Sequence, residues 1–391
     1  MISRWIAVAR LVPWALWSLA ACAAAEGLRY AYRPVGELAT FAIAAGAAFA
    51  SGPAALPQLT LRSTALIPMP QGVPSAHASA LAALDDGELL AFWWAGARES
   101  GGDVAIYTAR WRNGHWSSAR RIVEREQLSG QLGFGVRRLG NPTAWVARDG
   151  RVHLYAVATG AGGWAASRIV HLISSDRGRS FTVKRMLPLS PLFNTSVLVR
   201  SNPVALADGG WLLPAYFELG NKYPMLVAMD AQGEPLWSRR IGASTTSLQP
   251  ALLATSATEI HALMRDQSAQ QRIQQATSTD AGWNWQDNTA LGLKNVDSSV
   301  AAIALLKGGF VMAHNDQLAQ PATARQWLRL STSSDAVSWR EMQDVRRGAL
   351  GDEFSYPSLV QIGRELHLSF TAKRGAIAHH VYDIAAGPLT P

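Results

Sequence analysis

A six-bladed β-propeller is the all-β fold this sequence predicts, and three observations carry the prediction. A unit made of a polar residue, an apolar strand, a Gly or Asp turn and a second apolar strand recurs six times along the chain. A shorter motif, Ser-x-Asp followed closely by an aromatic residue, recurs behind some of these units. Fifteen Trp and 33 Gly in 391 residues, with no long amphipathic helical pattern after about residue 60, favour many short strands over helices.

The six units read "HASALAALDDGELLAFWW" from His77, "NPTAWVARDGRVHLYAV" from Asn141, "NPVALADGGWLLPAYF" from Asn202, "QPALLATSATEIHALM" from Gln249, "DSSVAAIALLKGGFVMAH" from Asp297 and "YPSLVQIGRELHLSF" from Tyr356. Their starts lie roughly 45 to 65 residues apart, the length of a four-stranded blade. Each unit supplies an inner hairpin and the segment behind it an outer one. The first unit is preceded by "LTLRSTALI" and the last followed by "GAIAHHVYDI", so one of these completes the other's blade and fastens the ring. The propeller then covers 57–391, and residues 1–56 lie outside it.

The short motif appears as "SSDRGRSFT" from Ser174, "STDAGWNW" from Ser278 and, worn, "SSDAVSW" from Ser333. An Asp side chain bonds backbone groups two residues on, and Gly accepts the positive φ of a tight hairpin. The following aromatic can pack back under the turn. These turns fall between outer strands, on the face opposite the starts of the inner strands, and serve to staple blades.

In a propeller the starts of all innermost strands face one mouth of the central channel. The leading residues His77, Asn141, Asn202, Gln249, Asp297 and Tyr356 are therefore expected to ring that mouth. Loops carrying "GARESGGD" (96–103), "FELGNKY" (217–223) and "RDQSAQQR" (265–272) join them there. His77 reads either as a ligand contact or as a strand-start histidine bonded to a carbonyl, and Asn141, Asn202 and Gln249 suit channel-lining roles. His379 and His380 are adjacent, so strand alternation turns them to opposite faces, and no metal site or cofactor is expected.

The formal net charge of +8 comes from 31 Arg and only five Lys. The arginines are scattered rather than clustered, so no nucleic-acid partner is expected; a few could converge on a carboxylate, which their planar fork fits. Cys22 is the sole cysteine, which excludes an intrachain disulfide. It lies in "WALWSLAACAAAEG", downstream of Arg4 and Arg10, where a basic start and apolar run read as an export signal. "LAAC" resembles a bacterial lipoprotein box that would make Cys22 the lipidated first residue, while Ala23 to Ala25 would equally suit ordinary cleavage. A second apolar stretch, residues 38–56, reads as a weak membrane segment or as the true signal core, ending at the A-x-A of 48–50. The expected location is the cell envelope or periplasm, with membrane anchoring through the N-terminus, as a monomer. No phosphate loop, paired Cys ligands or Gly-x-Ser-x-Gly turn is present.

Over about residues 60–385 the chain resembles sialidases, in particular the bacterial BNR-repeat, sialidase-like branch with Asp boxes. "GARESGGDVAIYTAR" is similar to the segment that holds an arginine and, five residues on, the acid/base aspartate; this implies Arg98 and Asp103. "QQRIQQATSTDAG" and "ARQWLRLSTSSDAVSW" put Arg272 and Arg325 at the second and third positions of the arginine triad. "EFSYPSLVQ" resembles the segment of the tyrosine nucleophile, which falls on Tyr356. Where the family has its first triad arginine this chain has His77, and its usual glutamate partner of the tyrosine is replaced by Ser247 or Leu248. Glu218 or Glu353 could substitute, with Glu218 preferred because it ends an inner strand.

The resemblance implies an exo-glycosidase that removes a terminal acidic sugar from a glycan. Converging guanidiniums would hold the sugar's carboxylate, a tyrosine would avoid the repulsion a carboxylate nucleophile would meet, and an acid with a raised pKa would protonate the leaving oxygen. His77, Asn202, Gln249 and Asp297 would line the same site. Sialic acid, another nonulosonic acid and a uronic acid remain open as substrates. Two other functions stay open beside hydrolysis: a glycan-binding propeller without catalysis, and a uronic-acid lyase using Tyr356 and His77 as base and acid.

Overall fold

The computed structural model describes residues 14, 16–22, 41–44, 56–189, 194–318 and 325–386. Six antiparallel sheets follow one another along the chain as the blades of a propeller. The innermost strand of each is Ser75–Ala83 in blade 1, Arg138–Val146 in blade 2 and Ser247–Ala254 in blade 4. In blades 5 and 6 it is Ala301–Ala304 and Phe354–Ile362. Blade 3 splits its inner edge into Val197–Val199 and Val204–Ala205, both paired with Trp211–Phe217. The ring closes in blade 6, where Pro57–Ile67 is the outer partner of Ala376–Ala386.

The core lies between blades rather than within any one of them. Phe92 and Trp94 of blade 1 meet Leu154 and Ala156 of blade 2. Val311 and Leu330 of blade 5 likewise meet Leu366 and Phe370 of blade 6, and Ile67 and Ile377 of blade 6 meet Leu81 and Trp93 of blade 1. A blade therefore buries its faces only when both neighbours are present.

The Asp-containing turns join third and fourth strands, as the sequence suggests. Asp176 Oδ1 accepts the backbone N–H groups of Arg179 and Ser180 at 2.9 and 2.8 Å, and Ser174 Oγ accepts that of Gly178 at 2.7 Å. The aromatic residue folds back under the turn: Trp285 Nε1 donates to Gly282 O at 2.9 Å, and Trp339 Nε1 to Ala336 O at 3.0 Å. Gly178 has φ +81° and a Cβ there would lie 2.7 Å from Leu90 Cδ1 of blade 1. The turn of blade 2 thus sits against its neighbour, with no room for a side chain.

Residues 41–44 depart from the expectation that everything before about 56 lies outside the fold. Ile43 N donates to Ala257 O at 2.8 Å, Ala44 N to Ala205 O at 2.9 Å, and Ala207 N to Ala42 O at 2.7 Å. Ile43 is only 3% exposed, packed with Leu206 and Leu252, and Phe41 meets Trp237 edge-on at 5.7 Å. This short apolar piece is thus part of blades 3 and 4 rather than a free leader. Residues 14 and 16–22 are helical and exposed, ending at a free Cys22. The proposed cleavage sites at 23–25 and 48–50, and the rest of the apolar stretches, lie outside the described residues. No helix among the described residues is long and apolar enough to cross a membrane.

Eight of the nine histidines are buried, several as pairs across adjacent strands. His153 Nδ1 lies 2.9 Å from His171 Nε2, and His367 Nδ1 lies 3.0 Å from His379 Nε2. Burial, with Arg151 and Lys184 nearby, lowers His153 to about 4, and burial beside His153 lowers His171 to about 2. Burial also lowers His367 and His314 to about 4 and His379 to about 3.

Two predictions follow from this packing. In the unfolded chain these imidazoles bind protons near pH 6.5, whereas the folded protein refuses them until about pH 4 or below, so unfolding takes up protons in that window. Stability should be flat above about pH 7 and fall steeply from pH 6.5 to 5. Urea midpoints measured across that range test this, and a double His153→Gln, His171→Gln variant should show a shallower loss. For residues 41–44, Ile43→Ala should cost about 2–4 kcal/mol, and a chain begun at Pro57 should unfold at lower urea than one begun at Gly36. Equal midpoints would show that the segment contributes nothing.

Candidate active site

The inner strands do not enter their sheets as regular β-structure. Between the pairs His77–Trp94 and Ala80–Phe92, two residues, Ala78 and Ser79, stand opposite one, Trp93, and the same slip occurs at 140–143, 248–251 and 355–358. Each is a β-bulge, which re-aims the side chain at its centre. Within or beside these starts, Ala78, Gln249, Asp297 and Tyr356 have φ of 57°, 51°, 51° and 54°. A left-handed backbone is costly for a residue as bulky as tyrosine and persists only where its surroundings fix it.

A polar cavity of about 280 Å³ opens where these starts converge. Tyr356, Gln249, Arg265, Arg325, Tyr216, Glu218 and Asn141 line it, together with Glu99, Arg374, Trp94 and Trp164. A second cavity, of about 380 Å³, opens at the opposite mouth among Leu81, Val204, Leu252 and Ile303 and has no charged side chain in its lining. Chemistry with an acidic substrate belongs to the first.

One network runs through the polar cavity. Arg265 Nη1 donates to Gln249 Oε1 at 3.3 Å and to the Tyr356 hydroxyl at 3.2 Å, while its Nε donates to Asp297 Oδ1 at 2.6 Å. Because Gln249 Oε1 accepts from Arg265, its Nε2 faces the two tyrosines and donates to Tyr216 at 3.2 Å and Tyr356 at 3.5 Å. Asn141 Nδ2 donates to Tyr216 as well, at 3.1 Å. Arg325 bonds Glu353 Oε1 at 3.3 Å and Asp297 O at 2.8 Å, and lies 5.3 Å over the Tyr356 ring. Arg374 bridges Glu353, at 2.6 Å from Nε, and Glu99.

Beneath this layer Arg200 is buried, 2% exposed. Its Nη1 donates to Ser79 O at 3.0 Å and Nη2 to Pro357 O at 2.8 Å, and its guanidinium lies 5.1 Å from the Tyr356 ring centroid. Burial lowers it to about 10, against the pull of Tyr356 and Tyr216. Burial alone would raise the Tyr356 phenol, but the guanidiniums of Arg265, Arg325 and Arg200 and the Gln249 amide outweigh it and hold the phenol below its ordinary value. Glu218 moves the other way: burial raises it, with Asp297 adding to the rise and Arg265 and Lys222 opposing it. Glu353 is depressed, because Arg374, Arg325 and Ser355 outweigh its burial.

Of the residues singled out in the sequence, the structure brings together Tyr356, Glu218, Arg325, Gln249 and, through Arg265, Asp297. Others stand elsewhere. Asp103 folds back to accept the N–H of Ala97 at 2.6 Å and faces a separate surface pocket with Arg121, Glu124 and Arg125. Arg98 is exposed on the same short loop, which turns back on itself through Gly101 N donating to Arg98 O at 3.0 Å. Arg272 has its N–H on Asp266 at 3.0 Å and its guanidinium on Gln271 O at 3.4 Å, outside the cavity lining. Asn202 points down the channel, its amide reaching Leu359 O at 3.2 Å and Leu81 O at 3.4 Å. His77 is buried behind Tyr356, ring centroids 4.2 Å apart, and burial with four nearby arginines keeps it neutral.

The sequence reading missed Arg265, Arg374, Tyr216, Glu99 and Arg200. Arg265 had a legible signal: it is the first residue after the fourth repeat unit, at the strand end that returns to the inner mouth. Arg272 shares its loop, and the Asp box behind it drew the assignment seven residues too far. Arg374 and Arg200 carry no motif.

A family model described as a BNR repeat-like domain matches residues 87–368. No curated protein matches the chain in sequence. Among solved structures, a protein of unknown function from Dyadobacter fermentans superposes with a TM-score of 0.67 at 13% identity, over 84% of this chain and 99% of that one. A Hadza microbial sialidase gives 0.64 at 14% identity, over 80% and 66%. The Trypanosoma rangeli sialidase in complex with the inhibitor DANA gives 0.60 at 13%, over 83% and 59%. The chain thus spans about two thirds or less of these sialidases' own length, and the likeness to them is one of fold. The six-bladed propeller and the match across most of its length make this chain a member of the BNR repeat-like, sialidase-like family.

Proposed function

We propose that the protein is an exo-glycosidase that removes a terminal acidic sugar, sialic acid or a related nonulosonic acid, from a glycan. The observation that supports this reading best is the convergence of Arg265, Arg325 and Arg374 on one polar cavity around the Tyr356 hydroxyl. Guanidiniums held on Asp297 and Glu353 are fixed in direction, and a sugar carboxylate meeting them gains charge-assisted contacts without reordering the site.

In the proposed reaction Tyr356 first gives up its phenol proton to solvent, and its oxygen then attacks the anomeric carbon and forms a C–O bond while the bond to the leaving oxygen breaks. The departing electron pair stays on that oxygen, which takes a proton from Glu218. Water then attacks the tyrosyl-linked sugar, Glu218 takes the water's proton back, and the phenol oxygen leaves. Glu218 is the carboxyl suited to this work because burial raises it above the ordinary carboxyl range. Asp103, first assigned the acid role by resemblance, faces another pocket, and so Glu218 takes that role here. A lyase reading loses support because His77, its acid, lies behind Tyr356 and outside the cavity lining.

Release of fluorophore from an α-sialoside, with a panel of nonulosonic and uronic α-glycosides beside it, tests the proposal on a chain that retains residues 41–44. Turnover abolished by Tyr356→Phe is expected. Binding of an acidic sugar without turnover on any panel member would sink the hydrolase reading and leave a glycan-binding propeller. Arg265→Met should lower kcat/KM about 10- to 100-fold, the scale of a lost charge-assisted contact, whereas Arg272→Met should change it by less than about 3-fold. Glu218→Gln should cost about 100-fold or more with a sugar leaving group and far less with a nitrophenyl group, which departs without protonation. Equal losses with both would remove Glu218 from the acid role.

A further inference from the structure

We propose that Tyr356 stands in the resting site as a phenolate, held by N–H donors from Arg265 and Gln249 and lying over Arg200, whose guanidinium has no carboxylate partner among the described residues, with no carboxylate base to take its proton. The inference deepens the proposed function, because it rests on the reading of Tyr356 as nucleophile and says how that nucleophile is made reactive.

The first support is the polarity of the hydrogen bonds. Both partners of the Tyr356 hydroxyl are donors: Arg265 Nη1 at 3.2 Å and Gln249 Nε2 at 3.5 Å. The Gln249 amide cannot be turned to offer its oxygen instead, because that oxygen already accepts from Arg265. No acceptor for the phenol's own hydrogen is seen among the described residues. Tyr216 also meets two donors, Asn141 Nδ2 and Gln249 Nε2, but both are neutral amides, whereas Tyr356 meets the Arg265 guanidinium, and a charged donor favours the anion.

The second support is the balance of buried charge. Arg265 is matched by Asp297, Arg325 by Glu353, and Arg374 by Glu353 and Glu99. Among the described residues Arg200 bonds the carbonyls of Ser79 and Pro357, and its Nε has no partner there. An isolated buried cation is costly and draws a counter-charge to itself. The other titratable groups facing Tyr356 cannot supply one. His77, on blade 1, is neutral, and Tyr216, on blade 3, is pushed up by burial and by Glu218. Glu218, on the same blade, is itself shifted toward its protonated form. Tyr356, whose ring is 5.1 Å from the Arg200 guanidinium, is the group left to carry the charge.

The chemical consequence is that attack on the anomeric carbon needs no proton transfer from the nucleophile, so Glu218 is free to serve the leaving group. It also gives Gln249 a reason to be neutral. A carboxylate at that position would accept the phenol proton and repel the phenolate.

Absorbance titration at 295 nm, which reads tyrosinate directly, tests this on the intact chain without substrate. One of the eight tyrosines should already be ionised at about pH 7.5, at least about 2.5 pH units below the ordinary value near 10, and that signal should be missing in Tyr356→Phe. Arg200→Leu should move the step up by a unit or more. If that variant does not fold, Gln249→Glu should do the same. Superimposable titrations of wild type and Tyr356→Phe below about pH 7.5 would overturn the inference, and so would a step that neither substitution moves. The readout is independent of turnover. Hydrolysis together with an ordinary Tyr356 titration would keep the proposed function and discard the phenolate, and the reverse result would do the opposite.

Discussion

The buried guanidinium of Arg200 is the interaction on which both the ring and the site depend. It leaves blade 3, crosses the head of the channel and bonds the carbonyls of Ser79 in blade 1 and Pro357 in blade 6. A propeller blade touches its neighbours directly, but contacts across the axis must be made by side chains long enough to span it, and arginine is the longest polar one. The carbonyls it satisfies belong to the bulged segments that follow Ala78 and Tyr356, where the ladder has slipped and a carbonyl would otherwise lack a partner. Asn202 makes a parallel pair of bonds two residues on, to Leu81 and Leu359. Closure of the ring, satisfaction of the bulges and the electrostatic floor of the cavity therefore share one side chain.

The bulges in turn explain why functional groups appear at these places. A regular strand start would leave residue 356 in the pleat, alternating with its neighbours. The bulges at Tyr356 and Gln249, and the left-handed backbone at these two residues and Asp297, bring side chains of three consecutive blades into one network. Such a backbone is unfavourable by about 1–3 kcal/mol at each position, and the bonds among Arg265, Gln249, Asp297 and Tyr356 offset part of it. Strain and hydrogen-bond network are thus two sides of one arrangement.

The fold was legible in the sequence because it is written six times. The repeat of apolar strand, turn and apolar strand depends only on local patterning, and the leading residues Asn141, Gln249, Asp297 and Tyr356 could be placed by counting along it. The Asp-box turns were likewise readable, since Ser174, Asp176 and Gly178 interact within a few residues. What the sequence did not disclose depends on contacts between distant blades. Arg200 lies in no repeat position of its own, and its partners are 121 and 157 residues away. Asp103 looked like a site residue from its spacing to Arg98, but the short loop folds its carboxylate back onto Ala97 instead. Residues 41–44 read as leader because their composition is apolar, and an apolar segment that pairs with blades 3 and 4 has the same composition as one that does not.

The distribution of charge around the cavity gives a physical reason for the division of labour among its acids. Asp297 and Glu353 lie against guanidiniums, accept their N–H groups and serve to orient those arginines. Glu218 lines the same cavity without a direct ion pair among the described residues, and burial raises it. The phenol of Tyr356 lies between them, over a cation that has no carboxylate. Environment alone thus separates groups of similar intrinsic acidity into anchors and a proton carrier, and lowers a much weaker acid toward ionisation. Moving one carboxylate would undo the separation. A glutamate at 249 would cancel the field of Arg200 and Arg265 at the phenol, and the cavity would keep its shape while its acids exchanged roles.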